Sequence, residues 1–423
     1  MKILILNTSE KVGGAAVAAN RLMKALNISG VYTKTLVCDK QTDDSDVIPI
    51  STSFLKEKVN NIKFYWERLI IFLAAGFSKK NLFRVSIANT GTDISKHPLI
   101  QDADIIHLHW INQGFLSLND IKKLTKLNKP IVWTMHDMWP CTGICHHARE
   151  CESYQGKCGN CFYLNSEKKK DLSNRIFNRK KTLYENMNIS FVCCSNWLTN
   201  RVKKSSLTKD KTILTIPNPI DCSLFKKANP EDSRIKLNLP ADKRLILFGA
   251  LNVTDKQKGI DYLIESFNHI RNNFPNDYEN LGLVVFGKVK EEIANSFNIP
   301  IYSLGYLNRI EDIILLYSAV DLFVTSSLDE NLPNTIMEAM ACGTPCVGFN
   351  TGGIPEMIDH KQNGYIAEYK NAMDLAKGIK WVLNEADYSK LSNNAREKVI
   401  NNYSEDIVAR QYIELYNRLF NIQ

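Results

Sequence analysis

Short β-branched runs alternate with amphipathic helical stretches along all 423 residues. That alternation constrains the fold more than any other feature. A strand that returns parallel to its predecessor needs a crossover of a dozen residues or more, and a helix supplies it. The pattern therefore predicts an α/β protein with doubly wound parallel sheets. Strands are expected at 2–7, 33–38, 104–109, 131–135, 190–194 and 212–216. Residues 216–221, Ile-Pro-Asn-Pro-Ile-Asp, then break the rhythm. Two prolines in three positions exclude helix and favour an extended linker. A second series is expected at 245–249, 283–286, 301–304, 321–325, 345–349 and 365–367, with terminal helices over 371–384, 388–401 and 405–421. A chain this long exceeds one ordinary core, so two domains are expected.

Charge narrows the function classes. A net charge of +8 is mild for this length, and nucleic acid is not an expected partner. The basic excess is local: residues 168–181 hold seven Lys or Arg against one Asp. Residues 54–80 mix Lys with Phe, Trp, Tyr and Ile. Such segments suit an anionic membrane surface or a lipid-linked acceptor; the alternative is a solvated helix face with an apolar core side. The first residues, Met-Lys-Ile-Leu-Ile-Leu-Asn, read as a strand and lack the features of a signal peptide. The longest strongly apolar run, 69–77, is nine residues and too short to span a bilayer. The expectation is a cytoplasmic protein with peripheral contact at the inner face of the cell membrane.

Residues 326–356 carry the chemistry. Glu330 falls in the loop after an apolar strand, and Glu338 lies about one turn into the helix that Pro333 opens. The backbone N–H groups near Asn334 and Thr335 would point at an anion. One carboxylate on sugar hydroxyls, a second on ribose hydroxyls and helix amides on phosphate describe a nucleotide-sugar site. The plain alternative is a strand–helix–strand unit with two solvated acids. The stretch closely resembles the Glu-x7-Glu signature of retaining glycosyltransferases of family 4, which have the GT-B fold. The resemblance spans nearly the whole chain, strongest over 214–370, good over 1–26 and 102–140, and weak over 40–90.

That resemblance implies two Rossmann-like domains facing each other across a cleft. Residues 1–217 would bind the acceptor, 218–400 the nucleotide sugar, and a helix over 401–423 would cross back to the first domain. It implies that Glu338 holds the ribose and Glu330 the sugar, with Asn331, Leu332, Pro333, Asn334 and Thr335 lining the donor. Lys258 would supply a cation to the departing diphosphate. Ala250 stands where the family usually has Arg, and Lys256 is a candidate substitute. Gly287 and Gly305 would let a base or ribose approach closely, although such glycines also simply form turns. In the first domain, Gly13 and Gly14 occupy the position of the family's glycine loop. His109 would orient donor or acceptor hydroxyls, and His136 with Asp137 would line the acceptor side. Strand alternation is read here as sending His107 and His109 to opposite neighbours.

Five of eleven cysteines crowd into 141–161. Cys145, Cys151, Cys158 and Cys161 have spacings that suit a structural tetrahedral zinc site, with free thiols or a disulfide as alternatives.

The expectation from these readings is a retaining hexosyltransferase in surface polysaccharide biosynthesis. It would use a UDP- or GDP-sugar and act on a hydroxyl of a saccharide or lipid-linked saccharide. No Asp-x-Asp pair stands at a strand end of the donor half, so no metal cofactor is expected for catalysis. The rivals are a nucleotide-sugar epimerase on the same fold and an inactive nucleotide-sugar-binding homologue, which Ala250 favours.

Overall fold

The computed structural model describes residues 1–51, 54–185, 187–252, 255–288, 296–307 and 309–421, with the side chains of 54–58, 250–252 and 288 outside that description. The chain forms two compact units. The first holds Met1–Pro219 together with the stretch from Val408 onward, and the second holds Ile220–Ile407.

The first unit is built on seven parallel strands: β1 (Lys2–Ser9), β2 (Tyr32–Asp39), β3 (Val47–Pro49), β4 (Ile105–Leu108), β5 (Ile131–Met135), β6 (Ile189–Cys193) and β7 (Thr212–Thr215). Their order is β3-β2-β1-β4-β5-β6-β7. Both faces are covered. Because side chains alternate along a strand, Ile3 and Ile5 enter one core while Leu4 and Leu6 enter the other. The Ile3 face packs on Leu22, Met23 and Leu26 of the first helix (Gly14–Ile28) and on Tyr412 and Tyr416 of the last helix (Glu405–Phe420). The Leu4 face packs on Phe177 and Tyr184 of the helix Leu172–Glu185.

The second unit has six parallel strands: β8 (Arg244–Asn252), β9 (Leu281–Lys288), β10 (Ile301–Ser303), β11 (Leu322–Thr325), β12 (Cys346–Phe349) and β13 (Gly364–Ala367). Their order is β10-β9-β8-β11-β12-β13. The helices Ile260–Asn273 and Ala372–Lys380 cover one face through Leu263, Phe267, Leu375 and Ile379.

Strand order fixes where ligands can go. Each sheet reverses its winding once, between β1 and β4 in the first unit and between β8 and β11 in the second. At such a point the loops leaving the two strands diverge and open a crevice at the strands' carboxyl ends. The sequence missed β3 and left residues 54–80 open between a membrane-seeking segment and a solvated helix face; the structure has a helix over Phe54–Ala74. β3 is three residues long, too short for a period-two signal. The helix carries apolar residues nearly all round, which hides its periodicity.

Candidate active site

In the second unit, Lys258 follows β8 and Glu330 follows β11, so the two flank the winding reversal. Lys258 closes a 3₁₀ turn, Lys256–Lys258, and Gly259 then opens the helix Ile260–Asn273. Gly259 is left-handed at φ 64°, and a Cβ there would lie 1.9 Å from the Ser326 carbonyl oxygen. Only glycine lets this turn rest against the β11 loop. The Ser326 hydroxyl donates to the Lys258 carbonyl at 2.9 Å and Leu328 N–H to the Gln257 carbonyl at 2.8 Å. These bonds stitch the two loops together, and Lys258 Nζ pairs directly with Glu330 Oε1. The Ser327 hydroxyl donates to the same oxygen at 3.2 Å. Both ends of the ion pair are part-exposed, 35% for Lys258 and 20% for Glu330. The sequence reading assigned the pair to diphosphate and sugar separately; the structure joins them.

Glu338 sits in the helix Asn334–Ala341, whose N-cap is Pro333. The helix has no side-chain cap, so its first N–H groups, from Asn334 and Thr335, precede the bonds that Ile336 and Met337 make to the Pro333 carbonyl. Tyr317 donates its hydroxyl to Glu338 Oε2 at 3.2 Å. That partner was not legible in sequence, because Tyr317 reads as part of an apolar helix face. Asn331 and Leu332 are buried in the connecting loop. Gly287 is the penultimate residue of β9 and Gly305 follows β10; Gly287 N–H donates to the Gly305 carbonyl at 2.7 Å. Ala250 lies in β8 with its side chain outside the described residues, and Lys256 is exposed.

In the first unit, Gly13 caps the first helix at φ 91°, with Gly14 its first residue. Across the winding reversal, β4 delivers His109, and β5 delivers His136 and Asp137. The turns are tied backbone to backbone: His109 N–H donates to the Leu6 carbonyl at 2.9 Å, and Thr8 N–H to the Trp110 carbonyl at 2.8 Å. His109 Nδ1 and His136 Nε2 share a hydrogen bond of 2.9 Å. Asp137 Oδ2 accepts from His146 Nδ1 at 2.7 Å and from Trp110 Nε1 at 3.1 Å, and its Oδ1 accepts from Trp139 N–H at 2.8 Å.

Burial decides the protonation states. Desolvation, with His107 and His136 nearby, holds His109 well below the usual imidazole range. Desolvation holds His136 down at about 4. Both rings are therefore neutral at pH 7 and act as hydrogen-bonding groups, with no charge to offer an anion. Burial alone would push the Asp137 carboxyl up, but the donated bonds and nearby His146 and His147 hold it at about 2.

His107 corrects one expectation. Its ring lies 4.4 Å from that of His109, on the same side of the strand. Residues two apart on a strand share a face. His107 is buried between Tyr416, whose hydroxyl lies 2.7 Å from Nδ1, and Thr134, 2.7 Å from Nε2.

The zinc expectation finds no support. Among the described residues no group of three or more His, Cys, Asp or Glu side chains is arranged to hold a metal ion. Cys145, Cys151, Cys158 and Cys161 are free cysteines. Cys145 and Cys158 belong to the apolar core of the first unit and Cys161 packs against it. Desolvation pushes the Cys145 thiol far up, the Cys158 thiol to about 12 and the Cys161 thiol to about 11.

Two doubly wound units, each with polar loops at its winding reversal, define a GT-B glycosyltransferase architecture. Solved structures of that fold superpose on the whole chain. Sucrose-phosphate synthase of Thermosynechococcus elongatus matches with a TM-score of 0.67 at 18% identity over 100% of both chains. The Anabaena protein HepE in complex with UDP-glucose matches with a TM-score of 0.64 at 16% identity, over 99% of this chain and 100% of that one.

The sequence profile of glycosyltransferase family 4 matches residues 12–224, half of the chain, and that of glycosyl transferases group 1 matches 229–398. The chain belongs to glycosyltransferase family 4. Curated relatives match in part. An uncharacterized glycosyltransferase of Haemophilus influenzae is 28% identical over 44% of this chain and 50% of its own length. The N,N'-diacetylbacillosaminyl-diphospho-undecaprenol alpha-1,3-N-acetylgalactosaminyltransferase of Campylobacter jejuni is 34% identical over 28% of this chain and 31% of its own. The capsular polysaccharide biosynthesis glycosyltransferase CapM of Staphylococcus aureus is 25% identical over 53% and 60%. The matched segments thus span about half the length of these relatives, or less than a third in one case.

Proposed function

We propose that this protein is a retaining, metal-independent hexosyltransferase of surface polysaccharide biosynthesis. The donor is a UDP- or GDP-sugar bound by the second unit. The acceptor is a hydroxyl of a saccharide or lipid-linked saccharide bound by the first, presented at the inner face of the cell membrane. The observation that carries the reading is the Lys258–Glu330 pair at the β8/β11 winding reversal, with Glu338 eight residues further along. A ready-made ion pair keeps both groups in place before substrate arrives. Donor binding divides it: the diphosphate takes the Lys258 ammonium, and the hexose hydroxyls take the Glu330 carboxylate. Glu338, steadied by Tyr317, accepts from the ribose hydroxyls. The N–H groups of Asn334 and Thr335 face the phosphates.

As the glycosidic C–O bond to phosphate breaks, negative charge grows on the leaving diphosphate, where Lys258 offsets it. The acceptor oxygen attacks the same face of the anomeric carbon and its proton passes to the leaving phosphate, so configuration is kept. The neutral His109–His136 pair orients hydroxyls without carrying charge. The UDP-glucose bound by HepE and the undecaprenol-linked sugar named for the Campylobacter jejuni transferase support a uridine donor and a lipid-linked acceptor.

The test is donor-induced thermal stabilisation across UDP- and GDP-sugars, followed by slow donor hydrolysis. Glu338→Ala is expected to abolish stabilisation. Lys258→Ala is expected to keep part of it and lower hydrolysis about 100-fold, the usual effect of removing one charge-stabilising group. Isomerised nucleotide sugar would make the protein an epimerase, and unchanged behaviour of both variants would reject the site.

A further inference from the structure

The helix Phe54–Ala74 presents two chemically distinct sides. Glu67, Arg68 and Ile71 are buried, at 1%, 6% and 1% exposure. Glu67 Oε1 accepts the N–H groups of Ile87 and Ala88 at 2.6 and 2.9 Å, and its Oε2 pairs with Arg68 at 2.8 Å. Arg68 in turn donates to the Val85 carbonyl at 3.0 Å. This buried ion pair and its backbone partners fix the rotation of the helix about its axis. The opposite side therefore faces outward by construction. It carries Ile62, Tyr65, Trp66, Leu69 and Leu73, exposed by 66%, 68%, 52%, 44% and 51%. Their spacing, three or four residues apart, makes one continuous stripe. Phe77 and Phe83, 69% and 67% exposed, extend it. Large side chains clustered this way on one surface mark an interaction site.

The rim of the stripe says what covers it. Setting aside the buried Glu67–Arg68 pair, residues 54–84 contain six Lys or Arg and one Glu, and Lys63 among them turns to donate to the Thr92 hydroxyl at 2.9 Å. Lys79 and Lys80 are exposed beside Phe77. Tyr, Trp and Phe together with lysine are the side chains that settle at the headgroup level of a bilayer. A second copy of the chain would bring two basic rims together, which like-charge repulsion opposes.

Behind the helix lies a cavity of about 830 Å³ at the ends of β1, β2 and β3. Asn60, Asn61 and Phe64 of the same helix line it, together with Asp39, Gln41 and Gln113. Amides, a carboxylate and one aromatic ring are groups that bind a hydroxyl-rich saccharide.

We propose that the outward stripe of the helix Phe54–Ala74 seats the first unit on an anionic phospholipid bilayer, with the polar cavity behind the helix receiving the sugar head of an amphiphilic acceptor. The seating itself requires no glycosyl transfer; only the role of the cavity rests on the proposed lipid-linked acceptor.

The test uses the full chain and sedimentation with vesicles of phosphatidylcholine and phosphatidylglycerol at 7:3. Wild type is expected to bind these vesicles, to bind pure phosphatidylcholine at least about tenfold more weakly, and to lose affinity in high salt. Trp66→Gln with Leu69→Gln, both exposed, is expected to lower the partition coefficient at least about tenfold. Lys79→Glu with Lys80→Glu is expected to lower binding to the mixed vesicles about fivefold or more per lysine and to leave binding to phosphatidylcholine unchanged. Circular dichroism checks that the variants fold, and donor hydrolysis in detergent-free buffer is expected to be unchanged in both. Equal binding to the two vesicle types, no effect of the Trp66/Leu69 pair, or a wild-type dimer that this pair dissociates would each overturn the proposal. Failure of donor hydrolysis in wild type would instead sink the proposed function and leave vesicle binding to be judged separately.

Discussion

Lys180 has no exposed surface. Its ammonium donates to the Trp139 carbonyl at 2.5 Å and the Thr142 carbonyl at 3.1 Å, and lies 3.4 Å from the centre of the Trp139 ring. Desolvation pulls its pKa down to about 7, against the opposing pull of Cys141, Cys145, Cys158 and Asp137. The sign follows from linkage. An unfolded lysine titrates near 10.4, so between pH 7 and that value the unfolded chain binds more protons and stability rises with pH. Below pH 7 both states are protonated and the full cost of burying the charge is present; it disappears as pH climbs towards 10. Integrated between pH 7 and 9, a shift of this size is worth about 2 kcal/mol. Lys180→Met removes the titration and leaves two carbonyls short of a donor, at about 1–3 kcal/mol. The pH-independent part therefore depends on how well methionine packs, whereas the pH-dependent part belongs to Lys180 alone. Urea unfolding at pH 7, 8 and 9 followed by tryptophan emission reads the first unit, since five of the six tryptophans lie there. Wild type is expected to gain about 2 kcal/mol on the variant across this range. A wild-type-minus-variant difference that stays flat with pH would refute the reasoning.

Gly352→Ala is expected to disable the donor site. Gly352 is left-handed at φ 60°, and a Cβ there would lie 1.7 Å from the Glu330 carbonyl oxygen, so the loop carrying Glu330 must move. Donor-induced stabilisation should be lost while the melting temperature of the free protein falls only by what about 1–3 kcal/mol of local strain produces. Glu67→Ala should cost about 3–5 kcal/mol by leaving Arg68 buried and unpaired, measured by urea unfolding. Tyr416→Phe removes one buried donor–acceptor contact to His107 and should cost about 1 kcal/mol, with donor binding unchanged in calorimetry.

The fold was largely legible because strand–helix alternation is a repeated signal. Twelve strands were expected near their observed places, and the break at 216–221 falls at the Pro219/Ile220 division of the two units. The residues at 54–74 were not legible as a helix of known orientation. Apolar side chains on its outer side mask those on its inner side, and only the contacts of Glu67 tell the two apart. Lys258 and Glu330 follow strands β8 and β11, since a strand's end places its next few residues at the sheet's rim. The motif residues' partners did not announce themselves. Tyr317 for Glu338 and His146 for Asp137 come from other segments of chain, and nothing in local pattern points across such distances. The cysteine spacing is silent for the same reason: spacing along the chain does not say that Cys145 and Cys158 sit in the apolar core of the first unit.

The final helix has a consequence for biogenesis. The first unit completes its core with Tyr412 and Tyr416, which follow the whole second unit in the chain. A growing chain therefore carries the Ile3 and Ile5 side of its sheet uncovered while the second unit is still being made. Completion of the first unit waits until residues beyond Ile407 have been added. A stop placed between Ile407 and Tyr412 would injure the unit translated earlier and leave most of the later one intact.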